Sequence, residues 1–121
     1  MPTASGHTTA IKATRAIGTK VKTQSGDTVG KVEDIILDKT DNTIMFAVVG
    51  FGGVFGMGEK FHPIPWSALD YSDEEDAYLV PFTKDQLADA PCDTVEELTK
   101  NDGLAARDSS YDYYRVSPYW L

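Results

Sequence analysis

The spacing of the apolar segments limits the fold of this 121-residue chain more than any other feature. From Ala16 to Phe82, short apolar runs alternate with turn residues, and a new run begins about every 8–12 residues. No helical period appears before Phe82. This pattern is typical of all-β barrels and sandwiches. We predict a small, partly open antiparallel β-barrel of about six strands, connected as a meander.

The predicted strands are separated by polar or glycine-containing turns. The second strand breaks strict alternation. Val29 and Val32 cannot share a face if the alternation continues regularly through Ile35, Ile36 and Leu37. A β-bulge near Gly30 or Glu33 would restore the pattern, and bulges help barrels to curl. In chain order, the strands are expected at Thr19–Thr23, Thr28–Asp38, Thr43–Phe51, Lys60–Pro65, Leu69–Tyr71 and Ala77–Phe82.

The third predicted strand is apolar on both faces. Between Ile44 and Phe51, only Gly50 lacks an apolar side chain, so odd and even positions are both apolar. A strand of a small barrel has one interior face. A helix or a second subunit is therefore expected to cover the outer face of this strand.

Two segments flank the predicted barrel, which spans residues 16–82. Residues 1–15 are rich in small and hydroxyl side chains without a periodic apolar pattern, which predicts a flexible N-terminal arm. Residues 83–121 form a helical and aromatic C-terminal extension. Thr83 with Gln86 is a capping-box pattern that predicts a short helix through Ala88, and Asp93 with Glu96 repeats it for a helix ending near Gly103.

The last thirteen residues carry five aromatic rings. Burial of one large ring is worth about 2–3 kcal/mol, so these rings should pack against something. Either they cover the barrel of their own chain or they cross to a neighbouring subunit, and the sequence leaves both arrangements open.

The charge of −8 is unevenly distributed. Residues 1–69 hold 7 basic and 6 acidic side chains, whereas residues 70–121 hold 4 basic and 13 acidic ones. An acidic half without a compensating basic patch disfavours direct binding of nucleic acid. The same half suits a basic protein partner.

Location and covalent chemistry are constrained by what the sequence lacks. The N-terminus has no apolar run typical of a signal peptide, and no stretch is apolar enough to span a membrane, so a cytoplasmic protein is expected. The single cysteine, Cys92, permits neither an internal disulfide nor a multi-cysteine zinc site. We expect no metal and no cofactor.

Several ordered motifs resemble one known family. The runs Ile17–Val21, Gly26–Ile35 and Leu37–Asp38 resemble the opening of a PRC-barrel domain, and Phe46–Gly53 with Phe61–Leu69 is similar to its middle. The tail Tyr113–Trp120 resembles one seen on stand-alone bacterial members. The family includes the cytoplasmic domain of the photosynthetic reaction-centre H subunit and the C-terminal domain of a ribosome maturation factor that binds a ribosomal protein. The resemblance implies a protein-binding barrel and no reaction. The sequence shows neither the transmembrane helix of the H subunit nor the N-terminal domain of the maturation factor, so neither specific role is carried over.

The glycine-rich segment Gly52–Gly58 does not match a phosphate-binding loop. Gly53 and Gly58 have a suitable spacing, but Glu59 stands where the lysine of such a loop belongs. The glycines are better explained by backbone geometry that presents Phe55 and Met57 for contact.

Other candidate reactive groups are weaker. His62 and Ser67 lack evidence of a third orienting group, so His62 is expected at the barrel rim. The acidic turn Asp73–Asp76 lacks the alternating ligands of a calcium loop, and Cys92 is interpreted as an incidental thiol.

Three functional hypotheses remain. The first is a non-catalytic binding or assembly module that forms a homodimer, with candidate contacts Phe55, Met57, Tyr113, Tyr114, Tyr119 and Trp120. The second is an accessory factor in ribosome assembly or RNA metabolism that binds a basic ribosomal protein. The weakest is a small-ligand-binding protein or enzyme, which would need convergent polar groups in a pocket.

Overall fold

A computed structural model describes residues 10–51 and 60–121. The predicted contact residues Phe55 and Met57 lie outside this part of the chain. The strands are β1 Lys20–Thr23, β2 Thr28–Asp38, β3 Thr43–Gly50, β4 His62–Pro65, β5 Asp70–Ser72 and β6 Ala77–Val80. The helices are α1 Ala13–Ala16, α2 Lys84–Ala88, α3 Val95–Leu98 and α4 Leu104–Tyr114, with 3₁₀ turns at Trp66–Ala68 and Lys100–Gly103.

The six strands form one mixed sheet in the order β4-β3-β2-β1-β6-β5. Strands β1 to β4 follow the predicted antiparallel meander, and β5 pairs with β6 in the same way. However, β1 and β6 are parallel, from Lys20 beside Ala77 to Thr23 beside Val80. The prediction of a purely antiparallel meander is therefore wrong, and the all-β description holds only for the sheet, since four short helices accompany it in the described part of the chain.

The sheet is open but has to curl. In a flat six-stranded sheet, β4 and β5 would lie roughly 24 Å apart, at five interstrand spacings of about 4.8 Å. The link from Pro65 to Asp70 contains only the 3₁₀ turn and one further residue, and five residue steps reach at most about 17 Å. This short link therefore holds the two edges of the sheet near each other, as in a partly open barrel.

Strand β2 changes register where the sequence predicted a bulge. Its pairing with β3 skips Glu33, between Val32 and Asp34, and its pairing with β1 skips Val29, next to Gly30. Irregularities therefore occur at both of the expected positions. A third lies between Ile36 and Leu37. Irregular pairing increases local twist and lets a long strand take part in both halves of a curved sheet.

Two apolar clusters lie on the two sides of β3. On the inner side, Ala47 and Val49 pack with residues from the other strands and from the C-terminal segment, including Leu87 and Tyr114. On the outer side, Met45, Phe46 and Val48 pack with Leu98, and with the partly buried Val95 and Ala106. The expected cover of the outer face is thus supplied by α3 and α4 of the same chain.

The C-terminal helices agree only in part with prediction. Thr83 and Gln86 form a complete capping box at α2, which ends at Ala88 as expected. The cap of α3 is Thr94, whose side chain accepts from the backbone N–H of Glu97, so the predicted Asp93–Glu96 pair is wrong by one residue. Helix α4 and the single turn α1 were not expected.

Candidate functional site

The aromatic tail folds back onto its own chain. Tyr114 is buried in the inner cluster, with its ring 4.5 Å from that of Phe82 between centroids. Tyr113 is more exposed, and its hydroxyl donates a 2.6 Å hydrogen bond to the carbonyl of Gln86. These two candidate contact residues therefore stabilise the helical cover within one subunit.

Tyr119 and Trp120 pack against α4. Both rings contact the ring of Tyr111, at centroid distances of 5.9 and 4.8 Å. The guanidinium of Arg107 lies 3.7 Å from the ring centre of Trp120, a cation–π geometry. Tyr111 is buried and donates a 2.8 Å hydrogen bond to the carbonyl of Met45, so the tail, α4 and β3 are linked directly.

Asp38, at the end of β2, anchors the tail. One carboxylate oxygen accepts a 2.6 Å hydrogen bond from the hydroxyl of Tyr119, and the other accepts from the backbone N–H groups of Thr40 and Asp41. These bonds lower the pKa of Asp38, with the Tyr119 bond as the largest cause. Desolvation and the same bond raise the pKa of Tyr119. The carboxylate and the phenol are thus held in their charged and neutral forms, respectively.

A groove of about 450 Å³ opens beside this anchor. It lies between the β2–β3 turn and the start of α4, with Ile36 and Met45 among its lining residues. Leu37 on the strand side is 65% exposed, and Leu104 on the helix side is 44% exposed. We call this the Leu37–Leu104 groove, and its full lining is Ile36, Leu37, Asp38, Lys39, Thr40, Met45, Thr99, Asp102, Gly103 and Leu104.

An unusual backbone turn forms the helix side of the groove. Asn101, Asp102 and Gly103 have successive φ values of 51°, 64° and 73°. Non-glycine residues adopt this left-handed region at a cost, and runs of it are uncommon. The turn redirects the chain between α3 and α4 and places Leu104 at the opening, where it is not covered. Sequence reasoning did not find this groove because it did not predict α4.

The candidate reactive groups remain separate. His62 is buried, 1% exposed, with its ring 4.3 Å from that of Phe51 between centroids. Neither ring nitrogen has a hydrogen-bond partner of good geometry. Desolvation lowers the pKa of His62 to about 4, and the backbone at Pro91 opposes this only in part. Ser67 is exposed and makes no hydrogen bond with the ring. His62 is the first residue of β4, so it lies at a strand end, and its side chain is buried.

The acidic turn is engaged by basic and phenolic groups. Asp76 accepts from Arg15 at 2.8 Å and from the hydroxyl of Tyr71 at 2.7 Å, while Glu75 pairs with Lys22 at 2.9 Å. Within residues 10–51 and 60–121, no three His, Cys, Asp or Glu side chains are grouped so that they could hold a metal ion. The thiol of Cys92 is half-buried and forms no disulfide.

A curled, open six-stranded sheet that is covered by its own C-terminal helices defines a small barrel-like module. The chain belongs to the PRC-barrel domain family, whose model matches residues 9–87, almost two thirds of the sequence. Members of this family are small modules that often take part in protein interactions. No curated protein matches the chain. None of the helices in the described residues is long and apolar enough to cross a membrane.

Proposed function

We propose that this chain is a non-catalytic protein-binding or assembly module of the cytoplasm that receives a protein surface at the Leu37–Leu104 groove. The observation that carries the proposal is the exposure of two leucines on opposite sides of one concavity. Among the described strand residues, Leu37 is the only large apolar side chain that is exposed, whereas those on the outer side of β3 are covered by α3 and α4. An uncovered apolar concavity is a common mark of an interaction site.

The groove chemistry favours binding over catalysis. Its one buried carboxylate, Asp38, is already held by Tyr119 and by two backbone N–H groups, and no histidine or cysteine lines the groove. A catalytic site needs a nucleophile or base with an orienting partner. The polar groups here stabilise the wall of the groove, which supports a docking role over the weaker enzyme or small-ligand hypothesis.

The homodimer hypothesis now depends on a different surface. It was motivated by the outer face of the third strand, by Phe55 and Met57, and by the aromatic tail. The outer face of β3 is covered by α3 and α4, and Tyr119 is bonded to Asp38 within one subunit, while Phe55 and Met57 lie outside the described residues. Among the described residues, the groove is an apolar surface that remains open for self-association.

Capture experiments with matched variants test the binding role. The full chain, immobilised and exposed to extract of its native cells, is expected to retain a protein that Leu37→Ser releases. Leu121→Ser is the control, because Leu121 is 95% exposed and does not line the groove. Retention of the same proteins by wild type and Leu37→Ser would contradict the groove as the binding site.

A second candidate function is binding of a basic ribosomal protein during ribosome assembly. Residues 84–114 carry eight acidic and three basic side chains, and seven of the acidic ones are exposed, namely Asp85, Asp89, Glu96, Glu97, Asp102, Asp108 and Asp112. Such a surface attracts cationic partners and is screened by salt. Release of the captured protein by about 0.5 M salt, with no effect of Leu37→Ser, would favour this candidate.

A further inference from the structure

The rim of the Leu37–Leu104 groove carries one charge of each sign. Lys39 follows β2 on the strand side, and Asp102 lies in the left-handed turn on the helix side. Both side chains belong to exposed residues, and neither takes part in an ion pair within the described part of the chain. A strongly basic partner would be attracted to Asp102 but repelled by Lys39.

The same surface contains both an exposed apolar side chain and a concavity. Leu37, 65% exposed, lines the groove together with Met45 and Leu104. In a twofold symmetric interface, one patch of one subunit meets the identical patch of the other. A patch with its own exposed leucine, concavity, cation and anion is suited to such pairing.

We propose that the occupant of the groove is a second copy of this chain, so that the module is a twofold dimer. Leu37 of each subunit enters the groove of the other beside Leu104, and Lys39 of each subunit faces Asp102 of the other. The proposal rests on the proposed function and specifies its partner. It does not use the aromatic tail, and of the outer side of β3 it uses only Met45, which lines the groove.

Sedimentation velocity of the full chain, from about 1 to 200 μM, tests the dimer. The wild type is expected to shift from monomer to dimer across this range. Leu37→Ser is expected to raise the dimer dissociation constant by about tenfold or more, because a central apolar contact is lost. Leu121→Ser, at an exposed position outside the groove lining, should change it by less than about twofold.

A charge variant gives an independent readout that does not depend on core packing. Lys39→Glu places two acidic groups face to face at each end of the interface, so it should weaken the dimer by about fivefold or more at low salt. Adding Asp102→Asn should recover part of this loss, since asparagine tolerates positive φ and removes the repulsion. Circular dichroism verifies that each variant stays folded.

The outcomes separate this proposal from the proposed function. A chain that is monomeric at every concentration, or one whose dimer responds equally to Leu37→Ser and Leu121→Ser, overturns the twofold pairing. If that monomer still retains a partner that Leu37→Ser releases, the binding function stands and only the partner is wrong. If Leu37→Ser changes neither self-association nor capture, both proposals fail.

Discussion

Two tyrosines of α4 are buried and differ in one hydrogen bond. The hydroxyl of Tyr111 donates to the carbonyl of Met45, whereas the hydroxyl of Tyr114 has no partner, and desolvation raises the pKa of Tyr114. Tyr111→Phe leaves a buried carbonyl with one fewer donor and should lower the free energy of unfolding by about 1–2 kcal/mol. Tyr114→Phe removes an unpaired polar atom and should be neutral or stabilising. Urea unfolding measures both, and equal losses would contradict this account.

His62 makes the stability of the protein depend on pH. Its pKa is lowered from 6.5 to about 4 in the folded chain because its ring is desolvated. The folded state therefore binds fewer protons than the unfolded state between these values. The contribution of the neutral His62 ring to the free energy of unfolding is fully present above pH 6.5 and is lost as the pH falls towards 4. The loss should be on the order of 3 kcal/mol, measured by urea unfolding at a series of pH values.

His62→Phe is the matched control for this titration. Phenylalanine keeps the ring contact with Phe51 and removes only nitrogens that lack good hydrogen bonds. The variant should be at least as stable as the wild type at pH 7 and should lose less stability between pH 6.5 and 4. Carboxylates with lowered pKa values, such as Asp38 and Asp76, titrate below this window. An unchanged pH profile in the variant would show that other groups cause the dependence.

At the scale of elements, local signals were predictable and long-range pairing was not. The bounds of β2, its bulge at Glu33 and the capping box of α2 follow from alternation and capping chemistry over a few residues. The parallel pairing of β1 with β6 joins segments more than fifty residues apart, and no local pattern encodes it. Helix α4 escaped prediction because its cap position is Gly103, without a side-chain cap, and its closely spaced tyrosines suggested an irregular tail.

Gly30 is required where β2 passes the end of β3. A Cβ atom at this position would lie 2.0 Å from the carbonyl oxygen of Gly50, and backbone atoms cannot yield as a side chain can. Gly30→Ala should therefore destabilise the protein by about 3 kcal/mol or more, or prevent folding. At Gly50, an added Cβ would meet the side chains of Glu33 and Phe61 at 3.1 Å.

Gly50→Ala is thus the comparison for Gly30→Ala, in the same pair of strands. The flexible side chain of Glu33 can move, so this variant should lose clearly less stability than Gly30→Ala. Thermal unfolding of the two variants gives the comparison. A similar loss in both would show that the close approach of the two backbones is not what makes Gly30 necessary.

At the scale of the whole molecule, the hydrophobic cores extend beyond the residues matched by the family model. The family model ends at residue 87, but Leu98 belongs to the outer cluster and Tyr114 to the inner one. The sequence predicted that the outer face of the third strand needs a cover, which is confirmed. It left open whether that cover comes from the same subunit, because composition gives the need for burial but not the path of the chain.

We therefore expect that residues 1–82 do not form an independent folded unit. Removal of residues 83–121 would uncover Phe46 and Val48, which are fully buried, and burial of each such side chain is worth about 1.5–3 kcal/mol. The shortened chain should aggregate or unfold without a cooperative transition, as judged by light scattering and circular dichroism. The control is a chain that ends at Val116, which loses the Tyr119–Asp38 bond and the Trp120 ring but keeps α3 and α4. It should unfold cooperatively at a lower temperature than the full chain. A stable, monomeric 1–82 fragment would show that the outer face of β3 tolerates water and that the C-terminal cover serves binding alone.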